Sequence, residues 1–244
     1  MKYFSIASGS KGNCFVLQTK QTTLVIDCGS TKKHLVESFD TIGLQINQVD
    51  ALLITHTHQD HIKQLKLFKD VATYAPIELD TPMFQLIVEM VPFVINDCLI
   101  TPIGLSHDDE EVVGYIIKSE DQKFVYITDT GYLKDSYLSI IHDADFYVIE
   151  SNHDPELLMK LPRPYQIKAR ILSDNGHLCN DDSATILSKV VTEKTKEIVL
   201  AHLSSEANTH DLALTTVARV LQKVGRTPII KTAKQFEIVM GGSS

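Results

Sequence analysis

Short runs of apolar residues alternate with longer amphipathic stretches along the chain. Segments 2–7, 14–19 and 22–27 read as strands, joined by a loop at 8–13 and a turn at Lys20-Gln21. Segment 31–39 reads as a helix. Residues 51–55 are almost continuously apolar, which predicts a strand buried on both faces. A helix is expected at 59–68, with Ile62, Leu65 and Phe68 on one face, and another at 81–90, closed by Pro92. Segments 98–105, 112–119 and 123–128 read as a meander of strands, and 146–150 as a further strand. The helix expected at 181–191 has Asn180 as its N-cap, with Asp181 and Asp182 at the positive end of its dipole. A buried strand at 198–201 precedes an amphipathic helix at 211–224, where Leu214, Val217, Leu221 and Val224 share a face. Strands at 229–231 and 236–240 end the pattern.

The strands fall into two groups, each followed by helices. That order predicts two sheets packed face to face with helices outside, in the α/β (α+β) class. No Pro/Gly-rich linker divides the chain, so one domain is expected over 1–240, with 241–244 (Gly-Gly-Ser-Ser) as a frayed, disordered tail.

Composition narrows the functional classes. Of 244 residues, 43% are hydrophobic and 22% charged, enough apolar side chains for a sizeable core. A net charge of −8 argues against nucleic-acid binding over the whole surface but leaves room for a local basic groove. No apolar run approaches the ~20 residues of a membrane helix, and the N-terminus lacks a signal-peptide pattern, so no membrane partner and a cytoplasmic location are expected. Cys14, Cys28, Cys98 and Cys179 stand singly without a CxxC pair, which excludes zinc-ribbon and thioredoxin readings and predicts small buried residues.

The densest chemistry is Thr55-His56-Thr57-His58-Gln59-Asp60-His61, directly after the buried strand. His56 and His58 are two apart, so in an extended segment both imidazoles face one ion. Asp60 and His61 follow as the chain turns into a helix and can reach a second ion. Imidazole with carboxylate suits zinc, manganese or iron better than magnesium or calcium. The competing reading is a solvated polar loop. Three later strand ends offer further donors: His107 for the first ion, His202 for the second, and Asp129, whose two oxygens can bridge both. Taken singly, Asp129-Thr130-Gly131 is often just a turn, and a lone histidine after a strand is more often a surface or satisfied core residue.

His56-x-His58-x-Asp60-His61, then His107, Asp129 and His202 in that order, resembles the metallo-β-lactamase-fold hydrolases. The resemblance implies a four-layer αββα sandwich with two divalent metal ions, zinc or manganese, at one edge. Further segments resemble the YycJ/WalJ branch, whose members are regarded as DNA exonucleases. These are Ala7-Ser8-Gly9-Ser10-Lys11-Gly12-Asn13, Asp27-Cys28-Gly29, Glu150-Ser151-Asn152-His153-Asp154, the run from Arg170 through Gly176-His177 to Asn180, and His202-Leu203-Ser204 with Asn208. Cys179 stands where serine is usual, and the stretch 62–105 is shorter than the branch expects.

The implied activity is a phosphodiesterase or DNA exonuclease. Ions ~3.5–4 Å apart share a water and bring its pKa towards neutrality, which makes a metal-bridging hydroxide the expected nucleophile. Asp60 is expected to hold the second ion and to accept the nucleophile's proton. Asp27 either orients a ligand histidine or caps a turn. His153 and His177 are expected to protonate the leaving oxygen or donate to a phosphate, the alternative being loop histidines that cap helices. Ser10, Lys11, Asn13, Ser204 and Asn208 are candidate phosphate contacts; the 8–13 loop lacks Walker spacing. Lys160, Arg163, Lys168 and Arg170 lie in the acid-free stretch 159–170 with Tyr165 among them, a candidate edge for gripping DNA or an ordinary solvated face. Two other classes compete: a small-molecule hydrolase of a cyclic phosphodiester, thioester or lactam, and a non-catalytic metal-binding or redox module. A di-iron redox site of this fold would favour a carboxylate where His58 stands.

Overall fold

The computed structural model describes residues 1–242. The first sheet takes β1 (Lys2–Ala7), β2 (Cys14–Gln18), β3 (Thr23–Ile26), β4 (Ala51–Leu53), β5 (Ala72–Ala75) and β6 (Phe84–Leu86). The second takes β7 (Phe93–Ile95), β8 (Cys98–Gly104), β9 (Val113–Ser119), β10 (Gln122–Ile127), β11 (Phe146–Glu150), β12 (Glu197–Ala201) and β13 (Ile229–Thr232). A last strand, β14 (Val239–Gly242), returns to the first sheet beside β1. Each sheet has seven strands, in the orders β14-β1-β2-β3-β4-β5-β6 and β13-β12-β11-β10-β9-β8-β7.

Helices α1 (Lys32–Thr41), α2 (Gln59–Ile62), α3 (Asp135–Ile141), α4 (Pro155–Lys160), α5 (Tyr165–Ile171), α6 (Asn180–Val190) and α7 (His210–Lys223) complete the chain. The burial pattern gives the four layers of the expected αββα sandwich. Tyr3, Phe15, Phe124 and Phe146 fill the space between the sheets. Leu35 and Phe39 of α1 pack on the outer face of the first sheet. Tyr137 of α3, Leu187 of α6 and Val217 of α7 cover the second. The four cysteines are buried and free, as expected.

Strands β3 to β6 run parallel to one another, as do β10 to β13, and β8 runs with β10 because both are antiparallel to β9. The carboxyl ends of β3, β4, β8, β10, β11 and β12 therefore share one rim, where open α/β sheets commonly bind ligands.

Four expectations are corrected. Residues 81–90 are not a helix: β6 forms there and pairs in parallel with β5 through Thr73 and Phe84. The helix expected over 59–68 stops at Ile62 and resumes as a 3-10 turn at Leu65–Phe68. The chain at Cys28 interrupts it, accepting from Gln64 N and donating to His61 O. The N-cap of α6 is Cys179, whose sulfur accepts from Asp182 N, and Asn180 is the first helical residue. Gly241 and Gly242 pair with Tyr3 and Lys2 in β14 rather than fraying, while Ser243 and Ser244 lie outside the described residues.

Candidate metal centre

The loop after β4 is pinned before its histidines begin. Thr55 N donates to Asp27 Oδ1 at 2.9 Å, the Thr55 hydroxyl lies 2.9 Å from Asp27 Oδ2, and Val113 N donates to Thr55 O at 3.0 Å. Asp109 then accepts from both the N–H and the hydroxyl of Thr57, each at 2.8 Å. On this frame the rings of His56 and His58 lie 4.6 Å apart, with His107 at 5.4 and 5.2 Å from them. On the other side of the loop, Gly29 passes so close to Asp60 that a Cβ would sit 1.5 Å from its carbonyl oxygen, so only glycine permits the crossing.

Four sets of donor atoms converge, each within 4.8 Å: His56, His58 and His107; Asp60, His61 and His202; His56, His61 and Asp129; and Asp129, Glu150, His177 and His202. Asp129 belongs to two sets. Its Oδ2 is 3.3 Å from His61 Nε2 and its Oδ1 is 3.3 Å from His202 Nδ1.

Tautomers are fixed from behind. His107 Nδ1 donates to Gly176 O at 3.0 Å, His61 Nδ1 to Asp27 Oδ2 at 2.8 Å, and His202 Nδ1 to Glu150 Oε1 at 2.8 Å. For His107 and His202 this leaves the Nε2 lone pair for a ligand, the usual arrangement behind metal-binding imidazoles, while His61 Nε2 faces the Asn13 amide at 2.9 Å and Asp129 Oδ2 at 3.3 Å. The Nε2 atoms of His56 and His202 and the Oδ2 of Asp129 are buried without a hydrogen-bond partner. Such atoms are costly when left alone, and each belongs to a donor set that could hold a metal ion. The donor set of imidazoles and carboxylates suits a transition metal. Asp27, Asp129 and His202 all adopt positive φ, at 60°, 57° and 55°, a strained backbone that recurs at functional sites.

The electrostatics agree. Burial alone would raise the pKa of Asp129, but His202 and His61 hold it well below the ordinary value. Glu150 is held down to about 2 against the same burial by His177 and His202. Burial, aided by His61, pushes His56 far down, and burial lowers His107. Burial also opposes protonation of His61 and His177, yet Asp27 and Asp129 raise the first well above its usual value, and Glu150 brings the second up to about 9. The rim thus gathers carboxylates held low around imidazoles, two of which, His61 and His177, are raised by those carboxylates.

The remaining candidates divide. Asp27 is wholly buried and orients His61. Asn13 is buried too: its carbonyl accepts from Gly9 N and its amide lies 3.3 Å from Asp60 Oδ2 and 2.9 Å from His61 Nε2, so it supports the loop from beneath instead of facing a phosphate. Asn208 is likewise occupied, its amide by Ser151 O, Asn152 O and Asn180 Oδ1 and its carbonyl by Asn180 and Thr209. His153 is buried with neither ring nitrogen hydrogen-bonded, and burial lowers its pKa. Ser10 and Lys11 are exposed, and Ser204 lines the same cavity as both.

The stretch 159–170 is acid-free only along the sequence. Lys168 is buried and donates to Met159 O at 2.7 Å. Arg163 pairs with Glu206 at 2.7 Å, Lys160 with Glu156 at 3.9 Å, and Arg170 with Asp108. Acids from outside the stretch neutralise most of the expected basic edge.

One residue at the centre had no assigned role in the sequence. Glu150 Oε1 accepts from His177 Nδ1 at 2.7 Å and from His202, while Oε2 accepts from Thr130 N at 2.8 Å. Its signal was a single acid closing the otherwise apolar strand β11.

Comparison with known proteins agrees with this geometry. The family model described as a beta-lactamase superfamily domain matches residues 22–203. The chain is 38% identical over 238 residues to "Exodeoxyribonuclease YycJ" of Bacillus anthracis, covering 91% of this chain and 90% of that protein. It is 35% identical over 236 residues to "Exodeoxyribonuclease WalJ" of Streptococcus pneumoniae, covering 90% and 88%. Among solved structures, the metallo-beta-lactamase fold protein YhfI from Bacillus subtilis superposes with a TM-score of 0.74 at 18% identity over 98% of this chain and 99% of that one, which supports the fold.

Proposed function

The chain belongs to the beta-lactamase superfamily, and on that premise we propose that it is a metal-dependent DNA exonuclease carrying two divalent ions, zinc or manganese. The observation that carries the reading is the set of buried, partnerless donor atoms on His56, His202 and Asp129 at the rim where six strand ends meet. His56, His58 and His107 would hold one ion, Asp60, His61 and His202 the other, with Asp129 between them. Bound there, the ions supply Lewis acidity that activates water at neutral pH and neutralises phosphate oxygens.

The chain's own groups do the rest. Asp60, partly exposed beside His61 and His202, is the carboxylate assigned to take the proton of the attacking water. His177, oriented by Glu150 through Nδ1, is assigned to protonate the leaving oxygen from its other nitrogen. His153, in the segment that follows β11, is the second candidate for that proton. Arg170 sits at the mouth, tied to Asp108, whose other oxygen is 3.1 Å from His107 Nε2, and is placed to meet a phosphate. Among the described residues no helix is long and apolar enough to cross a membrane, and a cytoplasmic location is part of the same proposal.

The test is an assay on end-labelled DNA with manganese or zinc, beside RNA and bis-p-nitrophenyl phosphate, with elemental analysis of the same preparation. Stepwise loss from a DNA end is expected. Hydrolysis of the small ester alone would overturn the assignment and favour a small-molecule hydrolase.

A further inference from the structure

Next to the donor cluster lies a separate cavity of about 480 Å³ whose walls contain none of the cluster's residues. It begins where the cluster ends. Ser8 Oγ, in its wall, accepts from His202 N at 2.8 Å, and Leu203 and Ser204 follow His202 directly. The walls carry Lys11, His210 and several hydroxyls, and no carboxylate. That is unusual on a chain with 31 acidic residues against 23 basic ones, and it favours an anionic occupant.

The cavity is built, not incidental. Its floor is the bend that carries the chain from β13 back to β14. Gln235 locks this bend to the 8–13 loop: its Oε1 accepts from Lys11 N at 2.9 Å and its Nε2 donates to Gly12 O at 3.0 Å. Ser8 N adds a bond to Lys234 O at 3.1 Å. At the rim stands Phe236, 48% exposed. Its ring is braced by His34, centroids 5.5 Å apart and planes at 79°, and His34 is itself anchored on Ile6 O at 2.9 Å. A lone exposed phenylalanine is ordinary. A braced one on the lip of an acid-free cavity joins a π face to phosphate-type donors, and those are the two halves of nucleotide recognition.

We propose that this cavity is a nucleotide subsite, holding the nucleotide adjacent to the scissile phosphodiester with its base on Phe236 and its phosphate against Lys11, Ser10 and Ser204. The subsite's place in the reaction rests on the exonuclease reading; its capacity to bind a nucleotide does not.

The chain contains no tryptophan, so Phe236→Trp installs a single indole at the site, which can be excited apart from the tyrosines. Titrating the metal-loaded variant with a phosphorothioate oligodeoxynucleotide is expected to quench its emission saturably. Adding Lys11→Ala to that variant is expected to weaken the apparent affinity by about 5–10-fold, as for loss of a close phosphate contact. In turnover assays, Phe236→Ala is expected to raise KM for DNA on the order of 10-fold, the scale of one lost base–aromatic stack, with Phe236→Trp restoring it. The side chain is half exposed, so thermal melts serve to show that the variants are folded. Absence of saturable quenching overturns the subsite, and so does a Phe236→Ala KM equal to that of the parent when DNA is degraded. If DNA is not degraded but the oligonucleotide still quenches Trp emission, the exonuclease reading falls and the nucleotide site stands.

Discussion

The two ends of the sandwich each hold a polar cluster bridging the sheets, and their hydrogen bonding is opposite. At the far end, Asp97 accepts from the hydroxyls of Thr19 and Thr22 in the turn that joins β2 to β3 of the first sheet and of Ser119 at the end of β9 in the second, the Thr19 and Ser119 bonds at 2.8 and 2.7 Å. Every partner is supplied by the protein. At the metal rim, His56, His202 and Asp129 bury ligand atoms that the protein leaves unpartnered. Buried polar groups are nearly always satisfied in folded chains, so the first cluster is a latch and the second a receptacle.

The sharpest break of that contrast is His56→Ala. Removing a rim donor is expected to lower metal content, read by elemental analysis, and to reduce turnover on the order of 10³-fold or more, above the ~10–100-fold typical of groups that only orient a ligand. A His56→Ala protein with full metal content and parental rates would show that the unpartnered atoms hold nothing. Glu150→Gln probes the layer behind. It replaces one acceptor oxygen facing His177 and His202 with an amide that can only donate, so metal affinity measured by chelator competition is expected to fall by roughly 10–100-fold. An unchanged affinity would move Glu150 from positioning to plain structure.

What the sequence made legible follows from locality. His56 through His61 sit on six consecutive positions after an apolar strand, and strand geometry alone puts His56 and His58 on one side. His107, Asp129 and His202 were readable because each lies within three residues of a strand end, and the shared direction of those strands brings them to one rim. Glu150 had no such context, since a single acid at a strand end is commonplace and its partners are 27 and 52 positions away. The stretch 159–170 shows the same limit reversed: it is acid-free along the chain, but Asp108 and Glu206 reach it through space. Asn13 and Asn208 carried donor chemistry but not burial, which the pattern of neighbours could not reveal. The edge strand β6 has only three residues, too few to show an alternating pattern, so residues 81–90 kept a helical appearance.

Asp97→Asn tests the latch. Hydrogen bonds to a charged group contribute about 1.5–3 kcal/mol, so a loss of about 1–2 kcal/mol is expected in urea melts at pH 7. Partial burial would raise the Asp97 pKa, but Thr22, Ser119 and Thr19 outweigh it and lower it below the ordinary carboxylate value. A carboxylate depressed in the folded state contributes its stability above the unfolded pKa of about 3.9, and that contribution disappears as pH falls through the folded value. The gap between parent and variant should therefore be full at pH 6 and close in acid, only below the unfolded carboxylate value. A gap independent of pH would mean that the latch does not depend on ionised Asp97.

The smallest effect is expected from Lys160→Ala combined with Arg163→Ala. Both cations are paired with glutamates, Glu156 and Glu206, on the surface, and exposed pairs of this kind contribute little to stability. If they do not meet DNA, the affinity should stay within about twofold and the slope of log affinity against log salt should not move. A true phosphate contact would remove about 0.7–0.9 from that slope for each cation lost. A fall of more than 1 would show that Lys160 and Arg163 exchange their glutamates for phosphates when DNA arrives, and would make the stretch 159–170 a binding edge after all. An unchanged slope would leave the acid-free cavity beside His202 as the place where the chain meets nucleotide charge away from the metals.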